Sequence, residues 1–302
     1  MTERLRVGTR RSPLARTQTD WVLDQLRRTA TEVSFHPVPI DTAGDRDTSI
    51  GGSPDFTDAI DDRLLRGEID LAVHSAKDLP VELDRRLEVL AYPRRADPRD
   101  CLVVAPQLKP HHLPRGARVG SSSLRRRAQL LRWRPDLSVE EIRGNVDTRI
   151  GRVRAGALDA AVLAVAGISR LGRTREIDRV LSSRQFLPAP AQGALAVVGR
   201  AGDGALSSLV RAIDSESTRA CVTAERAFAA TLGGDCHVPL GALATIRSRS
   251  LSVVGEVLTP DGRARIRSQR TGTVETAALL GSALGNRLLK QGARDLWTTT
   301  RQ

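Results

Sequence analysis

Two short apolar runs constrain this chain more than any other feature. Ile69 to Val73 and Leu158 to Val165 are apolar except for one acid near the start of each, Asp70 and Asp159. Runs of this length between polar turns suit strands covered on both faces, in a sheet with helices above and below. Around them, β runs alternate with helical segments. Leu5 to Gly8 reads as a strand. Ser12-Pro13 then starts a helix to about Arg28, with serine as cap and proline in the first turn. Glu32 to Ile40 predicts a strand, Asp41 to Asp55 a long mobile loop, and Phe56, Ile60 and Leu64 one face of a helix ending at Gly67.

A second set follows. Cys101 to Ala105, Ala117 to Gly120 and Val139 to Ile142 read as strands, and Ser122 to Trp133 and Val146 to Arg154 as helices. Leu195 to Val198, beyond the proline-rich crossing Leu187-Pro188-Ala189-Pro190, is placed back in the first sheet. From Asp214 the pattern changes to a helix over Ser215 to Leu232, two β runs around Thr259-Pro260-Asp261-Gly262, and a terminal helix near Val274 to Lys290. The fold class expected is α/β: two lobes with mixed, mainly parallel sheets, plus a small C-terminal α+β domain. At 302 residues the chain exceeds what one core usually serves.

Charge narrows the partners. Lysine and arginine number 47 against 35 acids, for a net +12, and only Lys77, Lys109 and Lys290 are lysines. Guanidinium forks suit carboxylates and phosphates. Aromatic content of 3% leaves few platforms for stacking single-stranded nucleic acid; a small polyanion fits the charge as well, and composition alone does not decide between them. No apolar stretch is long enough for a bilayer, and the start, Met1 to Arg6, has no signal core, which predicts a cytoplasmic home. Cys101, Cys221 and Cys236 support neither a disulfide framework nor a metal site.

Four segments place chemistry at strand ends and helix starts, where open α/β sheets bind ligands. In Arg6-Val7-Gly8-Thr9-Arg10-Arg11-Ser12, alternation puts Arg6 and Arg10 on one side, at the mouth of a helix N-terminus. His74-Ser75-Ala76-Lys77-Asp78 follows a buried strand, with no serine-hydrolase signature around Ser75. Gly120-Ser121-Ser122-Ser123-Leu124-Arg125-Arg126 makes an anion nest at a helix start. Arg143-Gly144-Asn145-Val146-Asp147-Thr148-Arg149 repeats the theme. Cys221 shares a helix face with Ala224, Phe228 and Leu232 and reads as core. Cys236 lies in a loop, where His237 favours a thiolate and Asp235 opposes it, so local features leave its reactivity open.

Taken in order, these segments resemble the porphobilinogen deaminase family, also called hydroxymethylbilane synthases. Further matching stretches are Asp97-Pro98-Arg99-Asp100, Leu187-Pro188-Ala189 with Gln192-Gly193-Ala194, and Cys236 with Val238-Pro239-Leu240-Gly241. The resemblance implies two lobes like those of periplasmic binding proteins, residues 1–94 with 194–213 and residues 95–193, and a third domain, 214–302. It implies a dipyrromethane cofactor joined to Cys236 by a thioether, and stepwise condensation of porphobilinogen with loss of ammonia, ending in a linear tetrapyrrole. By the same resemblance Asp78 is catalytic. The cofactor would be held by Lys77, Ser75, Ser121, Ser122, Ser123, Arg125, Arg126 and Gln192. Substrate and the growing oligopyrrole would be held by Arg6, Arg10, Ser12, Arg143, Arg149 and Arg170. The family implies a monomer with no metal, nucleic acid or membrane partner. Each pyrrole adds an acetate and a propionate, so an arginine-rich site offsets a charge that grows with every unit.

The sequence departs from the family pattern at Gly51-Gly52-Ser53-Pro54-Asp55-Phe56, at Ala43, at Asp235 and at Val198-Gly199. These leave a second reading open, a paralogue that binds a tetrapyrrole precursor or other polycarboxylate without turnover.

Overall fold

The computed structural model describes residues 3–42, 57–233 and 238–298. The predicted loop at 41–55 and the departures at 43 and 51–56 lie almost wholly outside them, as do Asp235 and Cys236.

In chain order the first elements are β1 (Glu3–Arg10), α1 (Pro13–Thr29), β2 (Val33–Ile40), α2 (Asp58–Leu65), β3 (Leu71–Ser75) and β4 (Leu87–Ala91). Next come β5 (Asp100–Val104), β6 (Arg118–Gly120), α3 (Leu124–Trp133), β7 (Ser138–Glu140), α4 (Val146–Arg154), β8 (Ala160–Ala164), α5 (Val165–Arg170) and β9 (Arg179–Val180). The chain then forms β10 (Leu195–Arg200), α6 (Gly204–Arg211), α7 (Glu216–Thr231), β11 (Leu240–Arg247), β12 (Ser250–Leu258), β13 (Arg265–Thr273) and α8 (Ala277–Lys290). The sequence pattern misses β4, α5, β9, α6 and β11; the last turns the expected C-terminal strand pair into a three-stranded sheet, β11-β12-β13.

The two larger sheets are built alike. Their orders are β2-β1-β3-β10-β4 and β7-β6-β8-β5-β9. In each, four strands run one way and one is reversed, β10 in the first and β5 in the second. The acids that interrupt the two apolar runs do the same job in both. Asp70 accepts the backbone N–H of Arg6 at 2.8 Å, and Asp159 accepts that of Arg118 at 2.7 Å. Each pins the start of a buried strand to its parallel neighbour, satisfying a backbone donor at the sheet margin.

Period-two alternation fills both faces of the second sheet. Cys101, Val103, Ala161 and Leu163 meet Ile150 and Val153 of α4 on one side, and Leu102, Val104, Ala160 and Val162 meet Leu130 of α3 on the other. In the first sheet Val7, Leu71, Val73 and Val197 pack on Val22, Leu23 and Leu26 of α1. Gly199, one of the departures, has a local reason: a Cβ there would sit 2.6 Å from Leu90.

Contacts divide the chain into two compact units, residues 1–96 with 193–219, and 97–192 with 220–302. The C-terminal sheet has its own core, including Cys221, Phe228, Val253, Leu284 and Leu288, yet it belongs with the second lobe. The hairpin turn at Gly262 lies so close to α3 that a Cβ would meet the Ala128 carbonyl at 2.2 Å. Helices α7 and α8 meet through glycine as well, since a Cβ at Gly281 would stand 2.0 Å from the Ala224 carbonyl. Gly281→Ala is therefore expected to lower stability by about 1–3 kcal/mol through overpacking, despite alanine's better helix propensity. Urea unfolding measures it, and an unchanged midpoint would contradict this packing.

Candidate active site

In the first unit, β1 delivers Arg10 to its C-terminal end and Ser12 caps α1, its side chain accepting from the Ala15 N–H at 3.3 Å. β3 ends at Ser75, and a single 3₁₀ turn, Ala76–Asp78, follows. Ala76 and Leu79 are buried, which anchors the turn and leaves Lys77 exposed and Asp78 half-buried. A pocket is lined by Arg10, Ala15, Gln18, Thr57, Val73, His74, Ser75 and Asp78. Gln18 of α1 hydrogen-bonds the Ser75 hydroxyl at 3.1 Å, so Ser75 is tied to the pocket wall.

Sequence reasoning gave no role to His74. It is 5% exposed, and its Nε2 stands 3.5 Å from Asp61 of α2. Burial, helped by the positive charge of Arg10, pushes its pKa down to about 4, so it is neutral at pH 7. Because the folded value lies below the ordinary 6.5, its contribution to stability is complete above pH 6.5 and is lost as pH falls through about 4. The parent protein is expected to lose about 3 kcal/mol across that window that His74→Gln does not. Denaturant titrations at stepped pH test this; parallel curves for the two proteins would refute it.

Arg6 is not part of this pocket. Its Nε and Nη2 fork onto Asp70 at 3.1 and 3.0 Å, and Nη2 also reaches the Gly67 carbonyl at 2.7 Å. Alternation puts it on the same strand face as Arg10, but four residues earlier, about 13 Å back along the strand. It is a structural ion pair at the sheet margin.

In the second unit the helix start of α3 carries the serines. Ser123 caps the helix, accepting from the Arg126 N–H, and Ser121 accepts from the Ser123 N–H at 3.2 Å. Ser122 donates its proton to the Ile142 carbonyl. A hydroxyl has one proton, so Ser122 has none to offer a carboxylate and serves instead to hold the chain leaving β7.

Arg125 and Arg126 are buried against Asp100, which is fully enclosed. Arg125 Nη1 reaches Asp100 at 2.7 Å and Arg126 Nη2 reaches it at 2.8 Å. Although burial alone would raise it, the paired guanidiniums hold the Asp100 carboxyl well below the usual range. The Arg125 Nε is buried without a hydrogen-bond partner. Gln192, expected on the cofactor, is 1% exposed, and its amide nitrogen donates to the Pro98 carbonyl at 2.7 Å and to Asp100 at 2.8 Å. It supports the arginines from behind.

Arg149, at the start of α4, donates to the Gly144 carbonyl at 2.9 Å. Burial first, and then the like charges of Arg126 and Arg143, push its pKa down to about 10. Burial pushes that of Arg170 down to about 10 as well. Both stay protonated at neutral pH. Arg143 pairs with Glu141 at 2.7 Å. Arg149, with the like charges of Arg126 and Arg143 acting on it and a helix N-terminus nearby, is a place suited to an anion.

The donor set fits a dipyrrole bearing acetates and propionates: a buried unpartnered guanidinium N–H and a cluster of like charges beside it. Cys236 lies outside the described residues; on either side, Leu232 and Val238 are buried in the C-terminal core. Among the described residues no helix is long and apolar enough to cross a membrane.

Residues 5–208 match the family model described as porphobilinogen deaminase, dipyromethane cofactor binding domain, and residues 219–290 match that of the porphobilinogen deaminase C-terminal domain. The chain is 44% identical to porphobilinogen deaminase of Pelotomaculum thermopropionicum over 100% of this chain and 98% of that protein. It is 44% identical to porphobilinogen deaminase of Thermus thermophilus over 96% of this chain and 97% of that protein. Among solved structures it is similar to the periplasmic VFT2 domain of Bordetella pertussis BvgS, 19% identical with a TM-score of 0.42, over 70% of this chain and 86% of that one.

Proposed function

The chain belongs to the porphobilinogen deaminase family, and from that premise we propose which of its residues carry the reaction. The enzyme is a transferase that condenses porphobilinogen head to tail, with release of ammonia, to give hydroxymethylbilane on a dipyrromethane cofactor. The observation that supports the residue assignment is Arg149, partly enclosed and facing the like charges of Arg126 and Arg143, a place where an anion offsets both burial and repulsion.

Asp78 is the catalytic group. It faces a pocket whose histidine is neutral and whose arginine is cationic, so its carboxylate is the acid there that accepts pyrrole N–H groups. It also offsets the positive charge left on a pyrrole when ammonia departs. Arg10, with the Ser12-capped helix start beside it, takes substrate carboxylates, and Lys77 reaches out from the same turn as Asp78. Arg143, Arg149 and Arg170 take the carboxylates of the growing chain. Arg125 and Arg126 hold the cofactor's acids, with Ser121, Ser123 and the α3 N–H groups beside them. Bound by a thioether to Cys236, the dipyrromethane supplies the pyrrole carbon to which the first unit is joined. Ser75, fixed by Gln18, shapes the pocket floor.

The same reading takes the chain as a monomer of the cytoplasm, with domain limits at 94/95, 193/194 and 213/214, and nothing in the described structure favours the paralogue without turnover. Purified protein given porphobilinogen is expected to release ammonia and yield uroporphyrin after oxidation, with an intact mass exceeding the chain by a dipyrrole. A bare chain mass with no turnover would remove the reading.

A further inference from the structure

We infer that Asp100 is a positioning residue for Arg125 and Arg126, and that the C-terminal sheet fixes this arrangement through Glu256 and Gln129. The inference rests on the reading that these two arginines hold the cofactor's carboxylates. Asp100 and Glu256 are both fully buried. Asp100 accepts from Arg125, from Arg126 through two nitrogens, and from Gln192. One anion thus faces two buried cations and leaves one positive charge over. Glu256 lies on β12, paired with Arg267 of β13 at 3.1 Å.

Gln129 of α3 joins the two carboxylates. Its amide nitrogen donates to Glu256 at 2.7 Å and to the Leu187 carbonyl at 2.9 Å, and its oxygen accepts from Arg125 Nη1 at 3.0 Å. Glu256 takes hydrogen bonds and gives none, so it dictates which end of the amide turns toward Arg125. An unbroken line of polar contacts therefore runs Arg267–Glu256–Gln129–Arg125–Asp100–Arg126. Arg125 Nη1 meets three acceptors, Asp100, Gln129 and the Leu187 carbonyl. That clamp fixes the guanidinium plane, while its Nε stays buried and unpartnered. A buried donor left open costs stability, and it persists because its neighbours leave the group no other orientation. The domain that contains Cys236 thereby also sets the guanidiniums of the lobe it packs on.

The test compares full-length Asp100→Asn, Gln129→Met and Arg126→Leu with the parent, all prepared without porphobilinogen. Covalent loading is followed by intact mass after porphobilinogen is added. Labelling of Arg125 and Arg126 by phenylglyoxal before addition is mapped by peptide mass, and unfolding curves report folding. Asp100→Asn is expected to load about 10-fold more slowly, since small misplacements of binding groups cost this much or more. Its two arginines should label several-fold faster than in the parent. Gln129→Met should expose Arg125 more than Arg126. If Asp100→Asn does not fold, Gln129→Met carries the test on the same readouts. Folded variants with parental loading and labelling would overturn the positioning role. Should Arg126→Leu load as fast as the parent, it is the assignment of the arginines that falls instead.

Discussion

Replacing Asp78 with alanine is expected to lower porphobilinogen turnover by about 10²–10⁴-fold, the range for a positioned proton-transfer group, while intact mass still finds chains carrying the dipyrrole. The separation follows from placement. Asp78 sits in the 3₁₀ turn after β3, in the pocket of the first unit; the arginines assigned to the cofactor belong to the second unit's helix start. Among the described pocket residues, Asp78 is the acid, and His74, uncharged at pH 7, brings no negative charge to offset a cation left on a pyrrole. Asp78→Asn keeps the shape and removes the charge, so it should fall nearly as far as alanine. Turnover close to that of the parent in either variant would refute the assignment.

The second large effect concerns sulfur. Cys236→Ser is expected to carry no dipyrrole and to show no turnover, because a hydroxyl at neutral pH offers almost no anion to form the bond. The other two thiols cannot substitute. Cys101 lies in the β5 core, its Sγ 3.4 Å from the Leu163 carbonyl, with a pKa pushed up to about 12 by burial and then by Asp100. At pH 7 its thiolate fraction is about 10⁻⁵. Cys221 is enclosed in the C-terminal core beside Phe228. Intact mass and peptide mapping decide the matter, and a dipyrrole found on either buried cysteine, or on the serine variant, would overturn it.

The apolar runs ending at Val73 and Val165 announce β3 and β8, and Ser12-Pro13 announces α1, because burial period and cap chemistry are local properties. β4 escapes such reading since Glu88 interrupts it and its sheet neighbour, β10, lies more than a hundred residues further on. The site divides in the same way. Arg143 and Arg149 stand in partly enclosed positions, as a strand end and a helix start suggest, whereas Arg170, the last residue of α5, follows only from the family resemblance. Arg6, Ser122 and Gln192 fit the site by residue type and resemblance, yet Asp70 and the Gly67 carbonyl take the Nε and Nη2 of Arg6, the Ile142 carbonyl takes the Ser122 proton, and Pro98 with Asp100 take the Gln192 amide. Occupancy of a donor is a tertiary fact. Asp100 gains its role only where α3 brings two arginines to it, although a lone acid opening an apolar strand is itself a signal that a buried cation will be found.

The reversed strand of the first sheet has a bearing on how the molecule comes into being. β10 lies between β3 and β4 and hydrogen-bonds to both. A ribosome delivers β1 through β4 first and then the whole of β5 through β9 before β10 emerges. Until then β3 and β4 have no shared partner, and the first lobe waits with an open seam while the second lobe's strands are already complete. Nascent chains arrested before residue 195 should therefore leave the first lobe sensitive to protease, and release of β10 should close it.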